Sequence, residues 1–205
     1  MAARTRFQAE EPLRVASNAS ITLYVAADDP VGDWLRLVLL EKDIDSATVR
    51  VLRPGMVDED FLVLNPAHSL PTLADREGVL TIPTVIAEYL DERYPHPPLM
   101  PISPGARARV RSQVQHLVGE LFPLLGERSN PGSGRMAPPL ATALQALARS
   151  IGRGSSPTGQ DFTLAETAWT VLLHHLRDSQ PTWPPALQRY AGGLFERLAY
   201  RRTLA

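Results

Sequence analysis

Four prolines fall within residues 94–101, Tyr94-Pro95-His96-Pro97-Pro98-Leu99-Met100-Pro101, and a fifth, Pro104, follows closely. Each lacks a backbone N–H, fixes its own φ and restricts the residue before it, so neither a helix nor a sheet ladder can run through. The segment therefore divides the 205-residue chain into two stretches that form their secondary structure separately. Charge divides at the same place. Through residue 101 there are 9 basic and 16 acidic residues, a balance of −7, and beyond it 12 basic and 6 acidic, a balance of +6, which the overall −1 conceals. Of the 21 basic residues only Lys42 is lysine, a bias that genome-wide codon usage accounts for as well as a function does.

Ahead of the prolines the pattern alternates. Residues 21–26 (ITLYVA) are β-branched and aromatic, as a buried strand requires, until Asp28, Asp29 and Pro30 break it. Trp34, Leu35, Leu37, Val38, Leu39 and Leu40 predict a well-buried helix ending near Lys42, and residues 48–52 resume strand character before Pro54-Gly55, completing a βαβ unit. An acidic-headed helix over 58–64 stops at Asn65-Pro66. Short strands are expected at 72–74 and 79–81 around the turn Asp75-Arg76-Glu77-Gly78. From Pro83 the period is helical, with Val85, Ile86, Tyr89 and Leu90 on one face and Glu88, Asp91 and Glu92 opposite.

Beyond the prolines the pattern is helical throughout, over 105–126, 138–150, 163–176 and 185–200, with loops at 129–134 and 152–159. Residues 1–19 read as a flexible tail without the apolar core of a secretory signal, and no run of about 18 apolar residues is present to span a bilayer. A cytoplasmic protein without membrane contact is expected.

Several chemistries drop out. The chain has no cysteine, which removes disulfides, thiolate catalysis, iron–sulfur clusters and cysteine-bound zinc. His174 and His175 diverge by about 100° on a helix and accompany no HExxH motif, so no metal is expected. Ser133 lies in a Gly-Ser-Gly loop without the lysine of a phosphate loop, Asp58-Glu59-Asp60 suits a helix N-terminus, and Arg107, Arg109 and Arg111 spread around a helix rather than forming a stripe. A net charge of −1 argues against direct nucleic-acid binding.

The βαβ unit, the turn Leu70-Pro71-Thr72-Leu73, the hairpin and helix, and the all-helical remainder together resemble the glutathione-transferase fold, an α/β domain followed by an all-α one. The resemblance implies a thioredoxin-like domain over 20–94, a linker over 95–104 and a helical domain over 105–205. It also implies a cis Pro71, with Leu70 and Pro71 left as a vestigial ligand pocket. Thr163-Leu164-Ala165-Glu166 matches the family's capping box, with Phe162 as its hydrophobic staple. The continuous run from Glu88 through Pro101, with Leu39-Leu40-Glu41-Lys42 and Phe195-Glu196-Arg197, is similar to the stringent starvation protein A group. These are transferase-like bacterial proteins that associate with RNA polymerase and lack transferase activity. That similarity implies a partner-binding surface of Tyr94, Pro95, His96, Pro97 and Pro98 for polymerase and its sigma subunit, with Asp91, Glu92 and Arg93 as its rim and DNA reached only through polymerase. It implies a homodimer as well, the acidic half of one subunit against the basic half of the other.

The resemblance implies a thiolate-holding hydroxyl or thiol at the end of the first strand or the start of the first helix, and the usual position corresponds to Gly32. Residues 25–36 hold no Ser, Thr, Tyr or Cys. Tyr24 is one residue out of register, which in a strand turns it to the other face. Where the family binds the glutamyl end of glutathione stands Ile82-Pro83, and losing charge-assisted hydrogen bonds at about 1.5–3 kcal/mol each removes most of the affinity. No cofactor and no catalytic residue are expected. The alternatives are a divergent transferase or thiol-handling enzyme using Tyr24, or a structural dimerisation module whose prolines are only a rigid linker.

Overall fold

A computed structural model describes residues 21–55, 58–126, 136–152, 162–177 and 183–204. The expected tail over 1–19 and the loops at 129–134 and 153–159 lie outside them. Strand β1 (Thr22–Ala26) leads into helix α1 (Pro30–Glu41) and strand β2 (Thr48–Leu52), which lies parallel to β1 with Thr22 opposite Thr48. Strands β3 (Thr72–Asp75) and β4 (Gly78–Leu80) add antiparallel, giving the order β2-β1-β3-β4. Gly78 holds φ 147, a conformation that side-chain-bearing residues avoid, and so it closes the hairpin.

Alternation along β1 sorts its side chains. Leu23 and Val25 join the main core with α1 and helix α3 (Pro83–Arg93), whereas Tyr24 joins Leu52 and Phe61 in a small cluster under helix α2 (Glu59–Leu64). Trp34, Leu35, Leu37, Val38 and Leu39 of α1 are all buried, because the helix is enclosed between the sheet and helix α7 (Leu164–Leu176). Trp34 Nε1 donates to Thr167 Oγ1 of α7 at 2.8 Å, so the one polar atom of the largest core side chain is satisfied across the two halves.

The helical half begins with α4 (Pro104–His116), capped by Ser103. The single helix expected over 105–126 is interrupted: Leu117–Leu121 forms a π turn, Phe122 N–H bonds the Leu117 carbonyl at 2.9 Å, and α5 (Pro123–Gly126) is short. Pro123 explains this, since it has no N–H to continue the ladder. Helix α6 (Pro138–Gly152) follows. The helix expected over 185–200 is also two, α8 (Pro185–Phe195) and α9 (Leu198–Thr203), broken at Arg197, whose backbone is extended at φ −61 and ψ 140. The capping box of α7 forms: Thr163 N–H donates to Glu166 Oε2 at 2.9 Å and Ala165 N–H to Thr163 Oγ1 at 3.2 Å. Phe162, expected as the staple, packs against the main core and carries the Arg197 guanidinium over its ring, 3.6 Å from ring centroid to Cζ.

On α3 the expected faces need correction. Ile86 and Leu90 are buried, but Val85 is 45% exposed and Asp91, assigned to the solvent face, is only 7% exposed.

Candidate functional site

The two regions singled out by the sequence lie toward opposite ends of α1. At its N-terminal end the Leu70–Pro71 bond is cis, as the fold resemblance implies. Asn65 shapes the approach to it by donating to the Ser69 carbonyl and to Thr72 Oγ1, both at 2.9 Å. Pro71 is buried and Leu70 half-buried. Nearby, Gly32 presses against β1: a Cβ there would stand 2.9 Å from the Val25 Cβ and 3.4 Å from the Ala26 carbonyl oxygen, so the position has neither a side chain nor room for one.

Charge at this helix end is negative. Asp29 caps α1 by accepting the Gly32 N–H at 2.9 Å, and Asp33 in the first turn pairs with His175 Nε2 at 3.0 Å. Burial pushes the Asp29 carboxyl above its ordinary range, partly offset by the Gly32 and Val31 N–H groups. Those N–H groups are what a bound thiolate would otherwise use at a helix N-terminus. Tyr24 is turned away onto Phe61, with ring centroids 5.0 Å apart, and burial and then Asp58 push its hydroxyl upward. Ile82, in the remaining ligand position, is 58% exposed, and Pro83 opens α3.

The C-terminal end of α1 is built differently. Pro95, His96, Pro97 and Pro98 are all exposed, Tyr94 is half-buried and Leu99 and Met100 are buried. The His96–Pro97 bond is cis, which nothing in the sequence reading anticipated. Beneath the segment, Lys42 Nζ donates to Asp91 Oδ1 at 2.7 Å and to the Pro97 carbonyl at 2.5 Å. The same Asp91 oxygen accepts the Leu99 N–H at 2.7 Å, and the Leu99 carbonyl accepts the first N–H of α7, from Leu164, at 2.9 Å. Asp91 is therefore no part of an exposed rim. Glu92 is exposed and Arg93 half-buried, and Arg93 binds Glu77 at 2.7 Å and the Tyr89 hydroxyl at 2.9 Å. Tyr89 in turn donates to Asp75, and burial and that bond push its hydroxyl up to about 12.

Glu41, beside Lys42, receives the Arg197 guanidinium in a fork, Nε to Oε1 at 2.7 Å and the second nitrogen to Oε2 at 2.5 Å. Two short motifs that carry the sequence resemblance, one ending Glu41-Lys42 and the other ending Arg197, thus meet in space, and the bound guanidinium sits where the last long helix breaks. Arg111 and Glu88 form a second fork at 2.6–3.1 Å, and Arg107 reaches Glu92 at 3.3 Å, so part of the charge difference between the halves is matched within one chain. Among the described residues no group of three or more His, Cys, Asp or Glu side chains is placed to hold a metal ion, and no helix is long and apolar enough to cross a membrane.

Residues 23–98 match the family model "Glutathione S-transferase, N-terminal domain". Over nearly the full length the chain is 31% identical to the stringent starvation protein A homolog of Pasteurella multocida strain Pm70, covering 90% of each. The homolog of Haemophilus ducreyi is 38% identical, over 90% of this chain and 89% of its own. The chain belongs to the stringent starvation protein A family. The family's transferase-like fold is equally plain in three dimensions: a glutathione S-transferase from Rhodospirillum rubrum F11 superimposes with a TM-score of 0.72, covering 90% of this chain and 92% of that one at 24% identity. Within this member of the family, the Lys42–Asp91 and Glu41–Arg197 pairs are what the sequence reading missed. One signal was available for the first, a single lysine in a chain that otherwise uses arginine.

Proposed function

We propose that this protein is a non-catalytic regulator of transcription that binds bacterial RNA polymerase and its sigma subunit through Tyr94, Pro95, His96, Pro97 and Pro98. The observation that carries this reading is the exposure of four consecutive residues on a segment whose next two are buried, the first of them hydrogen-bonded through both its N–H and its carbonyl. A partner meeting such a segment has little chain to order, which lowers the cost of association. Three of the four residues lack an N–H, so the surface offers carbonyl acceptors, flat rings and one imidazole, and it suits a partner rich in donors. Glu92 and Arg93 form the polar edge.

The absence of a thiol chemistry in this reading is supported by the N-terminal end of α1, where Gly32 brings no hydroxyl and the Asp29 carboxylate occupies the helix N–H groups. We further propose a homodimer acting in the cytoplasm, with DNA reached only through polymerase. The test is binding of purified polymerase holoenzyme to the full chain. His96→Ala is expected to leave the melting temperature unchanged, since His96 is exposed, and to weaken the complex at least tenfold. Wild-type binding by that variant would falsify the docking assignment. Micromolar affinity for glutathione by calorimetry, or conjugation of a thiol substrate, would instead favour a divergent transferase.

A further inference from the structure

We infer that Lys42 is a positioning residue for the docking surface: its ammonium, held by Asp91, fixes the path of the Pro97–Leu99 backbone and thereby the presentation of His96. This rests on the docking reading above.

The argument is geometric. Lys42 caps the C-terminus of α1 and its side chain is 0% exposed. The ammonium is a compact group with three donors, and it places one on Asp91 Oδ1 and one on the Pro97 carbonyl. Because Asp91 Oδ1 also takes the Leu99 N–H, one buried ion pair grips the backbone on both sides of Pro98, by a carbonyl before it and an N–H after it. The outward side of the segment, with Pro95, His96 and Pro98, is what this grip leaves to solvent.

Stability alone does not account for the pair. A buried ion pair costs desolvation, and well-packed apolar residues of similar volume commonly do as well. What apolar residues cannot supply is a donor to the Pro97 carbonyl, for which Lys42 is the partner seen among the described residues. Lys42 therefore does for the segment what a cap does for a helix end: it satisfies a backbone acceptor that the prolines prevent from pairing in regular structure.

The experiment compares the full-length wild type, Lys42→Met/Asp91→Asn and His96→Ala. The double substitution removes both charges together and keeps an amide oxygen for the Leu99 N–H, so it deletes chiefly the Pro97 contact. Its melting temperature is expected to stay within a few degrees of wild type, the His96 ring signals in proton–carbon NMR spectra to move while those of His116 on α4 do not, and affinity for polymerase holoenzyme to fall at least tenfold. Unchanged His96 signals together with wild-type affinity overturn the inference. Should the double variant not fold, Lys42→Arg carries the test, because the wider planar guanidinium cannot take the enclosed place of the compact ammonium and meet both acceptors without displacing the segment, and the same two changes are expected. If His96→Ala binds polymerase like wild type, the docking reading falls, and the His96 ring signals alone then decide whether Lys42 sets the segment's path.

Discussion

At its N-terminal end α1 presents a carboxylate cap, a glycine packed against β1 and no hydroxyl or thiol; at its C-terminal end, about 15 Å along the axis, it presents Glu41 and Lys42, both buried and both bound to distant elements. A helix N-terminus with free N–H groups is where the helix dipole favours an anionic ligand. Here the first end is filled by the chain's own atoms, the Asp29 cap and the Asp33–His175 pair, whereas the second sends Glu41 to Arg197 and Lys42 to Asp91 and Pro97. The same helix can serve either purpose because its apolar body, Trp34 to Leu39, is buried in either case and only its terminal residues decide what is presented.

The largest effect that sharpens this contrast is expected from Lys42→Met alone. It strands the Asp91 carboxylate in the interior, at a cost of about 3–5 kcal/mol by chemical denaturation, and adding Asp91→Asn should recover most of that loss. If the single substitution costs no more than a surface change, the C-terminal end is not the braced one. Next comes Gly32→Ser. With Val25 Cβ only 2.9 Å from the new Cβ, repacking should cost about 1–3 kcal/mol, and the hydroxyl should confer no glutathione conjugation. A stable, conjugating Gly32→Ser protein would break the comparison outright.

Asp29→Asn should do least. Asparagine caps about as well as aspartate, so the change in stability at neutral pH should stay within about 1 kcal/mol. Its sign is fixed by linkage: a carboxyl raised in the folded state favours folding most below its unfolded value and loses that advantage as pH rises toward the folded one. The variant should therefore gain on wild type as pH climbs from acid to neutral. A gain that grows toward acid instead would mean that Asp29 is stabilised as the anion and that this helix end welcomes negative charge.

Strand and helix content followed from local pattern because residue type and spacing mark an element even where, as in β2, four of five residues are exposed. β2 runs over the same residues as expected, Thr48–Leu52, and β1 begins one residue late. The cis Pro71 and the capping box of α7 also carried over, since each is written in a few adjacent residues. What periodicity could not supply was the fate of particular charges. Asp91 sits where helical spacing places a solvated residue, and its carboxylate is satisfied in the interior by Lys42, 49 positions earlier in the chain, and by the Leu99 N–H. Glu41 and Arg197 are separated by 156 positions, and the break in the last long helix goes with that contact rather than with any local stop signal. The residues proposed for docking were legible as a proline run; the Lys42 and Asp91 contacts beneath them were not.

The burial of Lys42 has a consequence for handling the protein. As the chain's only lysine, with its side chain wholly enclosed, it leaves the folded molecule without an accessible ε-amine. Amine-directed labels, aldehyde crosslinkers and enzymes that acylate lysine should find no side-chain target until the fold opens, so attachment at residue 42 would report unfolding rather than surface chemistry.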